Sequence, residues 1–243
     1  MTLTTEGIVV RQTRYGDHAL VVNIYTRCEG MQSFMVRGGV KPGGKFRSSC
    51  FFPLSQVEIS YNRGKQGSGM PFLREIRLAH PYKEMYSDIR KSSVAFFLAE
   101  AMARFISQSE QDVFLYDKLA QALTRFDSRQ ENIAEFHLFF LLELASNLGF
   151  CPRMEGGSRY FDLREGCFCD LPPVHRDFLE ADAATGLARL LSARAEQDGF
   201  PCLTLFSSSL RFNLVQALTR YCQLQSGTEG TFKTLAVLKE VFS

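Results

Sequence analysis

The sequence predicts an α+β protein of two domains, a five-stranded antiparallel barrel over residues 1–80 and an all-α helical domain over residues 81–243. Three observations carry this. The first third is rich in β-branched and alternating apolar residues, which is the period of a strand. After Pro81 the apolar spacing changes to three and four, the period of a helix. The charge also divides, because residues 1–83 hold 12 Lys/Arg against 5 Asp/Glu while residues 84–243 hold 16 against 21.

The first strand is Gly7-Ile8-Val9-Val10-Arg11-Gln12-Thr13, followed by the turn residues Tyr15-Gly16-Asp17. Ala19 to Thr26 reads as the second strand, ended by Cys28-Glu29-Gly30, and Met31 to Arg37 as the third. Gly38 to Lys45 is a loop, since its four glycines and one proline fit no ladder. Pro53 to Tyr61 alternates apolar and polar, and Phe72 to Leu78 does so again after the glycine-rich stretch from Gly64 to Gly69. Five short strands with no room for a helical crossover predict the OB-fold, a small barrel that commonly binds nucleic acid.

Helices follow. Ser87 is placed to cap a helix running to about Ser107, and Asp112 to cap a second over Val113 to Phe126. Ile133 to Leu148 is a third, very apolar helix ended by Gly149. An insert rich in Gly, Pro and Cys, at about residues 150–175, is expected to be irregular. Three more helices are expected over Asp177 to Glu196, Ser209 to Leu224 and Thr231 to Val241.

Composition excludes several classes. An apolar fraction of 45% with 22% charged residues is that of a globular chain. The opening Met1 to Glu6 lacks the basic head and apolar run of a signal peptide, and the most apolar stretch, Phe136 to Leu148, is too short and interrupted to span a bilayer. The expected setting is the cytoplasm, without a membrane role. The odd count of 7 cysteines agrees, because a small secreted disulfide framework would pair them.

The basic loop is the best functional signal. Arg37, Lys41, Lys45 and Arg47 set four cations on a glycine-rich connection where the backbone can approach phosphates, and Phe46 supplies a ring to stack on a base. Phe34 and Tyr61 are further stacking candidates, and Arg11 and Arg14 on the first strand extend the basic face. The opposing reading is a solvated loop whose Phe46 tucks into the barrel. A nucleotide-phosphate loop is excluded, because Phe46 stands where its Ser or Thr hydroxyl belongs.

No catalytic constellation emerges, and no enzyme is expected. His137 reads as a satisfied core histidine, and Glu143 as a carboxylate on a polar seam or paired with an Arg. Cys151, Cys167, Cys169 and His175 have poor spacing for zinc, with Met154 where a Cys-x-x-Cys partner would stand. No metal or cofactor is expected.

Taken in order, Thr5-Glu6-Gly7-Ile8-Val9-Val10, Tyr15-Gly16-Asp17, Val22 to Thr26, Val36 to Lys41, Pro53-Leu54, Asn147-Leu148-Gly149-Phe150 and Phe161 to Phe168 resemble the RecO family of DNA repair proteins over the whole chain, in its Bacteroides-type branch. Many members of that family place two Cys-x-x-Cys pairs in the insert, and this chain departs from that pattern. The resemblance implies a recombination mediator that binds single- and double-stranded DNA, anneals strands and, with RecR, helps load RecA onto DNA coated by SSB. It also implies a contact with the acidic C-terminal tail of SSB, for which Arg125, Arg129 and Arg220 are candidates. It places the protein at the nucleoid. Two other readings compete: a protein-interaction adaptor whose barrel meets no DNA, and a zinc or thiol enzyme built on the insert.

Overall fold

The computed structural model describes residues 2–16, 19–37, 46–62, 69–106, 111–196, 200–201 and 206–242. Five strands, β1 (Thr2–Tyr15), β2 (Ala19–Thr26), β3 (Gly30–Arg37), β4 (Gln56–Asn62) and β5 (Leu73–His80), form one antiparallel sheet in the order β3-β2-β1-β4-β5. The two edge strands meet at a single parallel bridge, Met35 to Phe72, where Met35 N–H donates to the Pro71 carbonyl at 2.8 Å. The result is the partly open OB-like barrel anticipated from the alternation.

Long β1 serves both halves of the sheet, pairing with β4 at its start and with β2 along the rest. A register shift between Val9 and Arg11 bends it between the two. Gly7 sits at the crossing of both pairings, and a Cβ there would come within 2.4 Å of Ile24 Cγ2, so the close approach requires glycine. The barrel core is built from the inward residues of each strand, among them Val9, Val22, Ile24, Phe34, Val57 and Ile59.

The chain divides into two compact units, residues 1–88 with 98–128, and residues 89–97 with 129–243. Helix α1 (Ile89–Phe105) contributes a part to each, and α2 (Val113–Ser128) belongs with the barrel. Gln56 shows why. Its Nε2 donates to the Ala120 carbonyl at 2.8 Å, Thr124 Oγ1 at 3.1 Å and Tyr82 Oη at 2.9 Å. Asp127 at the end of α2 accepts three backbone N–H groups, from Lys83, Glu84 and Met85, at 2.7–2.9 Å. Arg27 clasps Asp117 with two bonds at 2.8 and 2.9 Å. Asp112 caps α2 as expected, accepting from Leu115 N–H at 2.9 Å. Ser87 does not cap α1; its hydroxyl is turned back to the Lys83 and Glu84 carbonyls, and the helix starts two residues later.

In the second unit, α3 (Phe136–Asn147) is buried on almost every side, with α4 (Ala181–Glu196), α5 (Ser208–Ser226) and α6 (Thr234–Phe242) around it. The insert is more regular than its composition suggests. It folds as a three-stranded antiparallel sheet of β6 (Tyr160–Asp162), β7 (Cys167–Cys169) and β8 (Phe178–Leu179). Its core is aromatic: Phe161 meets Phe168 at 4.9 Å and Tyr221 at 5.9 Å, both edge-on. Residues around Asp177, expected to be helical, are instead taken up by β8.

Candidate nucleic-acid interface

The register of β1, β2 and β3 decides which cations share a face. Arg37 pairs with Ala19, which pairs with Tyr15, and Arg11 pairs with Asn23, which pairs with Ser33. Residues directly opposite one another project to the same side, and so do residues two apart. Phe34 and Val36 point into the core, so Arg37, Tyr15 and Arg11 share the outer face. The two rows are four residues apart, about 13 Å along the strand. Arg14 lies in the alternate row with Leu20 and Val36, at the mouth of the barrel.

Arg11, Arg14, Arg37 and Arg47 are all exposed, and among the described residues none of them meets a carboxylate within ion-pair distance. Arg27 and Arg77 of this unit are neutralised, by Asp117 and by Glu58 at 2.7 Å, whereas Arg74 and Lys83 are exposed as well. Lys41 and Lys45, with the rest of the Gly38–Lys45 loop, lie outside the described residues.

Phe46 is a correction. It is only 4% exposed and packs edge-on against Phe51 at 6.2 Å in the barrel core, so it is not available to a base. Phe34 and Tyr61 are equally buried and meet each other at 4.8 Å, which removes them as stacking candidates. Each is an inward residue of its strand and belongs to the core.

Two exposed rings stand in their place. Phe72, which forms the bridge to Met35, is 44% exposed, and the Arg37 guanidinium carbon lies 4.3 Å from its ring centroid. Tyr15 is 65% exposed in the same cross-strand row as Arg37. The barrel therefore presents a cation laid over one ring, with a second ring two strands away. The signal in the sequence was the alternation itself: Leu73 is inward, which turns Phe72 outward.

The family model described as recombination protein O N terminal matches residues 1–82, and that described as recombination protein O C terminal matches residues 86–169. Proteins named DNA repair protein RecO from Flavobacterium johnsoniae, Christiangramia forsetii and Phocaeicola vulgatus are 32%, 30% and 29% identical to the chain, each over the full length of both. The chain belongs to the RecO family.

The insert of this RecO-family chain does not fit the zinc module expected of many relatives. Among the described residues no group of three or more His, Cys, Asp or Glu is placed to hold a metal. Two of the four candidate ligands are otherwise engaged. His175 Nε2 meets Asp162 Oδ2 at 3.2 Å, and Cys151 Sγ receives Arg194 Nη1 at 3.8 Å. Hydrogen bonds hold the knuckle instead: Arg153 N–H donates to Gly166 O at 2.9 Å and Phe168 N–H to Glu155 O at 3.1 Å.

Of the cations considered for an acidic partner, Arg220 is held by Asp177 at 2.9 Å, which also holds Arg164. Both arginines keep the Asp177 carboxyl below its ordinary pKa, Arg220 contributing most. Arg129 is turned to the Phe200 and Pro201 carbonyls. Arg125 is exposed. Glu143 is buried and paired with Arg194 at 3.0 Å, as expected of it. His137 differs from expectation: it is a core histidine, but its Nδ1 is buried without a hydrogen-bond partner. No helix among the described residues is long and apolar enough to cross a membrane.

Proposed function

We propose that this RecO-family chain binds DNA on the outer face of its barrel, single strands by stacking as well as charge, and that it acts as a recombination mediator at the nucleoid. The observation that carries this is the Arg37–Phe72 pair, a guanidinium over an exposed ring with no carboxylate to quench it. Phosphates are attracted by Arg11, Arg37 and Arg47, with Lys41 and Lys45, between the last two in sequence, adding charge. Counterion release then supplies most of the sequence-independent affinity. A base lies on Phe72 or Tyr15, which any base can do because each has a π face.

Annealing follows from the same chemistry. A surface that holds a strand by backbone charge and one-sided stacking leaves the pairing edges of the bases open to a complementary strand. RecR, the acidic C-terminal tail of SSB and transfer to RecA complete the proposed role, with no covalent step. The test is anisotropy of a labelled oligonucleotide with the whole chain, since the barrel shares its compact unit with residues 98–128. Arg37→Ala with Phe72→Ala should weaken single-strand binding at least tenfold and slow annealing. Unchanged affinity in that double variant would overturn the interface.

A further inference from the structure

The residues on either side of the Gly38–Lys45 stretch are both placed. Before it, Arg37 lays its guanidinium over the exposed Phe72 ring. After it, Phe46 is in the core, and Arg47 stands at the start of a short 3-10 helix, Ser48–Phe51. Phe52 stands at the other end of that helix, 43% exposed. Four 3-10 residues rise about 8 Å, so a cation and an outward ring again stand near one another.

The turn that presents Phe52 is built against a backbone preference. Ser55 N–H donates to Phe52 O at 3.0 Å, with Pro53 second and Leu54 third at a φ of 68°, as in a type II turn. That third position favours glycine, and a bulky residue there is an outlier. Leu54 holds it because its side chain is wholly buried and its N–H donates to Val9 O on β1 at 2.6 Å. Strain of this kind persists only where its surroundings over-determine it, and it clusters at binding sites. Its consequence is that Phe51 and Leu54 turn into the barrel while Phe52 turns out. The Phe52 ring rests on Tyr86, with centroids 5.2 Å apart, and the Tyr86 hydroxyl donates to Pro53 O at 2.9 Å. The outward ring is thus braced by the turn that carries it.

Strand β5 joins the two rings. The Cys50 thiol, inside the short helix, is hydrogen-bonded to the Leu78 backbone. Leu78 lies six residues along the chain from Phe72, about 20 Å in a strand. Arg74 is exposed between them, beside the exposed Glu75, while Arg77 is held by Glu58. Such a span suits the roughly 4–16 nucleotides that one OB fold takes.

We propose that Phe52 is a further stacking residue of the barrel, and that a single strand passes from Phe72 along β5 to Phe52 with its phosphates at Arg74 and Arg47. The inference rests on the DNA-binding reading and adds to it a path and another ring.

Anisotropy of a labelled oligothymidylate of about 16 nucleotides, with the whole chain, tests it. Phe52→Leu keeps an apolar side chain on Tyr86 without the ring and should bind about tenfold more weakly, whereas Phe52→Tyr should bind as the parent does. Thermal unfolding checks that both variants are folded. On an abasic sugar-phosphate strand of the same length the parent and Phe52→Leu should bind alike, because only stacking is lost. Equal affinity of Phe52→Leu and the parent for the thymidylate, or an equal loss on the abasic strand, would overturn the proposal. The Arg37→Ala, Phe72→Ala double variant, measured alongside, separates the two readings. If it weakens binding and Phe52→Leu does not, the interface stands and its extension to Phe52 fails; if it binds as the parent does, the interface fails and the path from Phe72 with it.

Discussion

The Arg37 guanidinium lies over the ring of Phe72 at 4.3 Å, across the seam where the first and last strands of the barrel order meet. The pair does two things at once. It holds the arginine in place without a carboxylate, so the full positive charge remains available, and it keeps an aromatic face at the surface. A cation–π contact at an exposed site is worth only about 0.5–1 kcal/mol, so a nucleic acid can compete for either partner.

Phe72→Ala should therefore cost single-strand affinity about tenfold, the effect of losing one stacked base, while leaving the salt dependence unchanged. Titrations of the parent and variant across a salt series check this. Duplex binding should fall less, since paired bases cannot reach the ring.

Charge removal should do the opposite. Replacing Arg37, Lys41, Lys45 and Arg47 together with Ala should flatten the log–log salt slope by about 0.7 per lost phosphate contact on single strands. The weakening should be the same for unrelated sequences. A slope equal to that of the parent would exclude these residues.

Phe46→Ala should behave as a core mutation. Loss of a buried phenylalanine costs about 3–5 kcal/mol. Urea unfolding should show that loss, and in the folded fraction DNA affinity should stay close to the parent value.

Asp127→Ala strands three backbone N–H groups that the carboxylate now accepts. Of the three only the Met85 donor is buried and the other two are part-buried, and a buried donor left unmade costs about 1–3 kcal/mol, so the variant should lose at least about 1 kcal/mol of stability. Asp127→Asn should lose less, because the amide oxygen still accepts. Denaturant midpoints of the two variants test the order.

His137 gives a pH signature. Burial pushes its imidazole pKa down to about 3, and the nearby Arg211 charge adds to the shift. A histidine that is depressed in the folded state stabilises the fold fully above its unfolded pKa, near 6.5, and loses that contribution as the pH falls from there toward 3. The parent should accordingly lose stability between pH 6 and pH 4 more steeply than His137→Leu, by up to about 1.4 kcal/mol per pH unit. Unfolding curves of both proteins at three pH values provide the difference, in which the carboxylates common to both cancel.

Much of the fold could be read from residue order. The alternation in Ala19 to Thr26 and Met31 to Arg37 located β2 and β3 because hairpin partners are neighbours in sequence, and the Asp112 cap depends on a residue only three positions on. The stacking residues could not be read so easily. Phe46 and Phe72 both follow glycine-rich stretches, and composition does not distinguish them; their difference is that one ring turns into the core and the other lies on its outer side. Nor does local pattern join Gln56 to Ala120, a contact 64 residues apart made by a single amide. The insert misled for a related reason: its strands are two or three residues long, too short to show a period, and are held by Phe161, Phe168 and Tyr221 from distant positions.

The discontinuity of the first unit bears on synthesis. Residues 1–88 leave the ribosome well before α2, yet Gln56, Arg27 and the backbone at 83–85 all wait for partners between 117 and 127. A nascent chain halted near residue 95 should accordingly remain protease-sensitive, and one extended past residue 128 by the length of the exit tunnel should acquire resistance in a single step.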